Sequence, residues 1–204
     1  MSIFRDFGVY IVEDDISVEE IDLDYTAELY RRYAEGDDEC FEGVVAEYFE
    51  GLVLYLYGFL GIYQDAEDIV QDIFSYLAIK KPPFEGENGF KTWLYRIAAN
   101  RAKNHLRSQR KVVLTELTEE CAASEECDPE VLLMQTLENQ NLYRAMRSLN
   151  REYYQALYLR YFEELSVPQI ARAMHKNIKQ INNYLQRGRE SLRKKMEEAD
   201  NENV

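Results

Sequence analysis

Histidine, cysteine and proline are scarce, with two, three and four copies in 204 residues. His105 and His175 stand far apart, and no His-Glu-x-x-His or Cys-x-x-Cys spacing occurs, so no metal centre is expected. Cys40, Cys121 and Cys127 cannot all pair within one chain, and the last two lie in a Ser/Glu-rich stretch, which favours free thiols. The longest run without charge, Gly51 to Gln64, falls short of the about 20 apolar residues that span a bilayer, so no transmembrane helix is expected. The opening MSIFRDFGVYIVEDD lacks a basic leader, an apolar core and a small-residue cleavage site, which leaves the cytoplasm as the expected compartment. With few prolines, no alternating strand run and no repeat at a 20 to 50 residue period, helical periodicity dominates, and an all-α protein of one or two domains is expected.

Net charge is −14, yet it is unevenly laid out. Residues 1–90 carry 5 basic and 22 acidic side chains, 91–115 carry 7 and 0, 116–142 carry 0 and 8, 143–195 carry 12 and 4, and 196–204 carry 0 and 4. A uniformly acidic surface would repel nucleic acid; two basic blocks separated by an acidic joint suggest two cationic surfaces on two modules. The expected organisation is an acidic extension over 1–35 with a helix beginning near Tyr25, a first module over 36–111, an acidic linker over 112–128, a second module over 129–198 and an acidic tail over 199–204.

In the first module DAEDIVQDIFSYL reads as a helix with Asp65 as its cap and Ala66, Ile69, Val70, Ile73, Phe74 and Leu77 on one face. Glu67, Asp68, Gln71 and Asp72 are left outside, either as a solvated surface or as a dock for a basic partner. The next helix, from Phe90, buries Phe90, Leu94, Ile97, Ala98, Ala102 and Leu106. Arg96, Asn100, Lys103 and Arg107 follow at intervals of 4, 3 and 4 and form a stripe, flanked by Arg101, Asn104 and Arg110. Cations, amides and the aromatics Trp93 and Tyr95 suit single-stranded nucleic acid, although both aromatics also fit a core.

These runs, DAEDIVQDIF and FEGENGFKTWLYRIAANRAKNHLR, resemble the promoter-melting domain of bacterial RNA polymerase sigma factors, in the small extracytoplasmic-function (ECF) group. GDDECFEGVVAEYFEGLVLYLYGFLG resembles the opening helix of that domain. The resemblance implies that Asp65, Glu67, Asp68, Gln71 and Asp72 bind the clamp helices of the polymerase β′ subunit. It further implies that the Pro83–Gly89 loop with Trp93, Tyr95, Arg96, Asn100, Arg101, Lys103, Asn104 and Arg107 captures a flipped base and separates strands at the minus-ten element. Unstacking a base costs a few kcal/mol, which aromatic stacking and edge hydrogen bonds offset.

In the second module, Leu149 to Phe162 reads as a helix. Ser166 and Gln169 then form a capping-box pattern with Pro168 in the first turn, and Asn177 and Gln180 repeat it eleven residues later. Two helices joined by a short turn at His175 and Lys176 make a helix-turn-helix. Ile181, Leu185, Gly188 and Leu192 mark the buried side of the longer helix. YLRYFEELSVPQIARAMHKNIKQINNYLQRGRESLRKKM resembles the minus-thirty-five-recognition domain of the same family. That places Lys176, Lys179, Gln180, Asn182, Asn183, Gln186, Arg187 and Arg189 on promoter DNA. His175 stands where glycine is usual, and Asn182 and Tyr184 replace frequent cations. The family implies core RNA polymerase (β and β′ subunits) and promoter DNA as partners, with an anti-sigma factor as a further one, no cofactor, and a linker threading the polymerase channel. No nucleophile–base pair or phosphate-cradling glycine loop is legible, so no catalytic activity is expected. The competing reading is a free-standing helix-turn-helix regulator, which would need a dimer seam that the sequence does not offer.

Overall fold

The computed structural model describes residues 25–84, 89–115 and 137–202. Residues 1–24, 85–88, 116–136 and 203–204, with Cys121, Cys127 and most of the expected Pro83–Gly89 loop among them, therefore lie outside the described residues, as do the side chains of 110–115, 137–141 and 199–202, including Arg110.

Regular structure among the described residues is entirely helical, in eight helices: α1 Tyr25–Glu35, α2 Cys40–Leu60, α3 Tyr63–Lys80, α4 Phe90–Thr115, α5 Leu137–Arg147, α6 Arg151–Tyr161, α7 Val167–Met174 and α8 Ile178–Glu202. The expected linker start at 112 falls within α4.

Helix α2 is the central beam. Val44, Tyr48, Leu52, Tyr55, Leu56 and Phe59 recur at helical spacing and are buried. By length and composition α2 could cross a membrane, a test that counting uncharged runs missed because Glu42, Glu47 and Glu50 interrupt the pattern. Its apolar residues instead form the core on which the other helices lie. Gly61 ends α2 at φ +86, a left-handed conformation that turns the chain sharply into α3. Helix α3 buries the six residues that its periodicity singles out. It starts three residues earlier than expected, with Ile62 rather than Asp65 at the cap. Helix α1 lies along α2, with the Thr26 hydroxyl 2.7 Å from that of Tyr48. The hydroxyls of Tyr30 and Tyr33 donate to the carbonyls of Pro82 and Ala78, each at 2.9 Å, which tie α1 to the end of α3.

The C-terminal helices follow their caps. Asn150 Oδ1 accepts from the Glu152 N–H at 2.9 Å and starts α6. The Ser166 N–H and hydroxyl both donate to Gln169 Oε1 at 2.8 Å. Asn177 and Gln180 bond reciprocally, at 3.0 and 2.8 Å, and start α8. Between α7 and α8, His175 takes φ 54 and ψ 49, as the missing glycine requires. Substituting His175→Gly relieves that left-handed strain, and the thermal midpoint is expected to rise by about 2–4 °C, from about 1 kcal/mol, in a calorimetric scan.

The two sets of helices share one continuous core. Tyr154 of α6 lies where a Cβ on Gly58 would sit, so the missing side chain admits the ring. Its hydroxyl donates to the Leu54 carbonyl at 3.1 Å. The Gln155 amide donates to the Tyr55 hydroxyl at 2.9 Å and the Tyr158 hydroxyl to the Gly51 carbonyl at 3.0 Å. Lys91 pairs with Glu163 at 3.5 Å, and Arg147 donates to the Gly61 carbonyl at 3.1 Å.

Candidate functional site

Three helix surfaces gather the residues that the sequence singles out. On α3, Asp68, Gln71 and Asp72 are exposed and Glu67 is half-buried. Asp65 is set apart from them: its Oδ2 lies 3.0 Å from His105 Nε2 and accepts from Gln109 Nε2 at 3.2 Å. That carboxylate holds α4 to the start of α3, and it is engaged within the chain rather than offered outward. Periodicity could not find this, because both partners lie about forty residues further along.

The stripe along α4 survives folding in part. Asn100, Lys103, Asn104 and Arg107 are exposed, and Arg96 and Arg101 are half-buried. The Arg101 guanidinium sits 5.2 Å above the Tyr76 ring, so it bridges to α3. Trp93 is half-buried among Tyr30, Phe84 and Phe90, with ring centroids 5.4–5.6 Å away. Tyr95 is fully buried, edge-on to Tyr55 at 5.1 Å. Burial, and then the neighbouring Glu163 carboxylate, hold its phenol well above the usual tyrosine range. Here Tyr95 belongs to the core joining the two helix sets and cannot stack on a base. Lys103 is pushed below the usual lysine range by partial desolvation and then by repulsion from Lys176. Helix α4 packs against α7, so its basic stripe adjoins the helix-turn-helix.

On α8, Lys179, Gln180, Asn182, Asn183, Gln186, Arg187 and Arg189 are all exposed, and Lys176 is half-buried with its ammonium 5.9 Å from the Tyr184 ring. The Gln180 side-chain oxygen accepts from the Asn177 N–H as part of the cap, which leaves its side-chain NH2 to act outward. Gln186 donates to Glu190 at 3.2 Å. A Cβ on Gly188 would come within 3.2 Å of Leu157, so this glycine lets α6 cross closely beneath the exposed face. An open hollow of about 770 Å³ lies where α7 meets the start of α8, with Arg172, Lys176 and Lys179 on its rim. Arg172 was not singled out from sequence; its signal is its place on the exposed side of α7, opposite Ile170 and Met174. Among the described residues no cluster of His, Cys, Asp and Glu could hold a metal ion.

Comparison with known proteins gives these surfaces a context. Residues 44–112 match the family described as Sigma-70 region 2, and residues 139–192 match Sigma-70, region 4. The RNA polymerase sigma-H factor of Pseudomonas aeruginosa is 30% identical over 181 residues, which cover 83% of this chain and 93% of that protein. The RNA polymerase sigma factor YlaC of Bacillus subtilis is 28% identical, covering 79% and 94%. The ECF RNA polymerase sigma-E factor of Escherichia coli K12 is 29% identical, covering 83% and 93%. Among solved structures, the sigma factor RpoE of Bartonella quintana, in complex with the anti-sigma factor NepR, superposes with a TM-score of 0.64 at 21% identity over 77% of this chain and 96% of that one. CnrH, in complex with the cytosolic domain of CnrY, gives 0.58 at 19% over 81% and 92%.

Proposed function

The chain belongs to the ECF group of sigma-70 family RNA polymerase sigma factors, the initiation subunits that direct core polymerase to promoters, and on that premise we propose how its three surfaces divide the work. The outward carboxylates of α3, Asp68 and Asp72, with Glu67 and Gln71, dock on a basic part of the core enzyme. The α4 stripe of Arg96, Asn100, Arg101, Lys103, Asn104 and Arg107, beside Trp93, engages the minus-ten element as its strands separate. The exposed face of α8, from Lys179 to Arg189 with Lys176 in the preceding turn, reads the minus-thirty-five element in the major groove.

The observation that carries this division is the charge segregation by helix. Asp68 and Asp72 stand exposed on α3, while α4 from Arg96 to Arg107 and the outward side of α8 from Lys179 to Arg189 offer cations and amides. Phosphate contacts position such a face, and amide groups can read base edges. The chain's role is positioning and strand capture; it needs no covalent chemistry of its own. It works where the polymerase works, in the cytoplasm. The Bartonella quintana relative solved in complex with an anti-sigma factor supports an anti-sigma factor as a further partner of this chain.

The test is co-elution of the purified chain with sigma-free core polymerase. Wild type is expected to bind, and Asp68→Arg/Asp72→Arg to lose binding by about 100-fold, because two attractions become two repulsions. A folded wild-type chain that fails to bind core would overturn the proposal.

A further inference from the structure

The outward face of α3 does not stop at its acids. Asp68, Asp72, Ser75 and Ile79 follow at intervals of 4, 3 and 4 and so line up along one side of the helix. Ile79 is 76% exposed and Tyr76, beside it, is 38% exposed. Ile79 lies about 10 Å along the axis from Asp72, at 1.5 Å per residue. Neither side chain serves the α3 core, which Ile69, Val70, Ile73, Phe74 and Leu77 supply. The Arg101 guanidinium over the Tyr76 ring limits how that ring can move, so the apolar end of the stripe is held in place.

We infer that Ile79 and Tyr76 form an apolar anchor that extends the acidic strip, and that core polymerase covers both with one helical surface carrying basic residues followed by an apolar patch. This inference rests on assigning the acidic strip to the polymerase. Continuity selects the occupant, because the acids and the anchor share one straight stripe of a single helix. Charge excludes the competitors. Nucleic acid is repelled by Asp68 and Asp72, and a second copy of a chain with net charge −14 would set these same carboxylates against each other. A protein surface that neutralises the acids and buries the isoleucine satisfies both halves. The acids contribute long-range attraction, which salt screens, and the anchor contributes contact area, which salt leaves intact.

That division gives the test a distinctive readout. Affinity for sigma-free core polymerase is measured with the full chain by fluorescence anisotropy at two salt concentrations. Ile79→Ser is expected to weaken binding roughly tenfold with an unchanged salt dependence, as burial of one aliphatic side chain is lost. Ile79→Val is expected to stay within about twofold. Asp68→Arg/Asp72→Arg should weaken binding and flatten the salt dependence. An unchanged thermal midpoint for Ile79→Ser, expected at so exposed a position, separates docking from folding. If Ile79→Ser binds like wild type while the acid reversal abolishes binding, the anchor is refuted and the strip assignment stands. If wild type binds and neither change matters, both are refuted. A dimer of the wild-type chain that Ile79→Ser converts to monomer, with core affinity unaltered, would assign the face to a second copy and overturn the inference.

Discussion

Substituting Gly58→Leu is expected to separate the C-terminal helices α5–α8 from α1–α4 while each set keeps its own fold. A Cβ built on Gly58 would overlap the Tyr154 ring. That ring is 1% exposed and its hydroxyl is held by the Leu54 carbonyl, so it has no free rotamer to retreat into. Gly51, one face-repeat earlier on α2, is similarly crowded: a Cβ there would lie 2.9 Å from the Tyr95 hydroxyl and 3.1 Å from the Glu163 carboxylate. Leucine itself favours the helix, by about 1 kcal/mol over glycine, so α2 is not the element that fails. Overpacking of this kind costs about 1–3 kcal/mol, and dislodging Tyr154 also strains the adjoining Tyr55–Gln155 and Tyr158–Gly51 hydrogen bonds.

Separation is also what the proposed binding of two promoter elements demands. Elements centred about 25 base pairs apart lie roughly 85 Å from each other on duplex DNA at 3.4 Å per step. The basic faces of α4 and of the helix-turn-helix are instead held side by side, because α4 packs directly against α7. Small-angle scattering should therefore show a larger radius of gyration for Gly58→Leu than for wild type, with core-dependent transcription retained. An unchanged radius and an unchanged thermal midpoint would mean that Gly58 does not govern the junction.

Reversing two charges on the recognition helix, Lys179→Glu with Arg187→Glu, should lower promoter-dependent transcription on the order of 100-fold and leave core binding intact. Both side chains are exposed, and glutamate is as good a helix former as lysine or arginine, so α8 keeps its packing through Ile181, Leu185 and Leu192. What changes is the field at the DNA surface, where two phosphate attractions become repulsions. Run-off transcription from a promoter that wild-type holoenzyme uses gives the first readout. The second is the salt dependence of promoter affinity, whose slope should fall by about 0.9 for each phosphate contact removed. Undiminished transcription would place the sequence-reading face elsewhere than on α8.

Much of this architecture is local and therefore legible in the chain. The apolar face of α3 emerged residue for residue, because a stripe at helical spacing has one side to bury. The start of α7 and that of α8 were written in Ser166/Gln169 and Asn177/Gln180, pairs three residues apart whose hydrogen bonds close within one turn. His175, which stands where glycine is usual, takes the left-handed backbone that a glycine would adopt without strain. The charge blocks likewise fixed which helices turn an acidic or a basic side to solvent.

Contacts between distant helices were not legible. Asp65, read as a cap, is held by His105 and Gln109; Tyr95, read as either a base platform or a core ring, lies in the core; and Ile79 with Tyr76, passed over in the sequence, stand exposed. In each case the deciding partner is far away along the chain or is not there at all. Gly51 and Gly58 show why: their seven-residue spacing only places two gaps on one side of α2. What fills the gaps is decided by Tyr154 and Glu163, about a hundred residues on. Backbone hydrogen bonds and caps act within a turn, so the sequence by itself determined the helices, their ends and their charges. Which apolar faces cover one another depends on packing shape across the whole chain, and only the tertiary structure decided that two modules share one core.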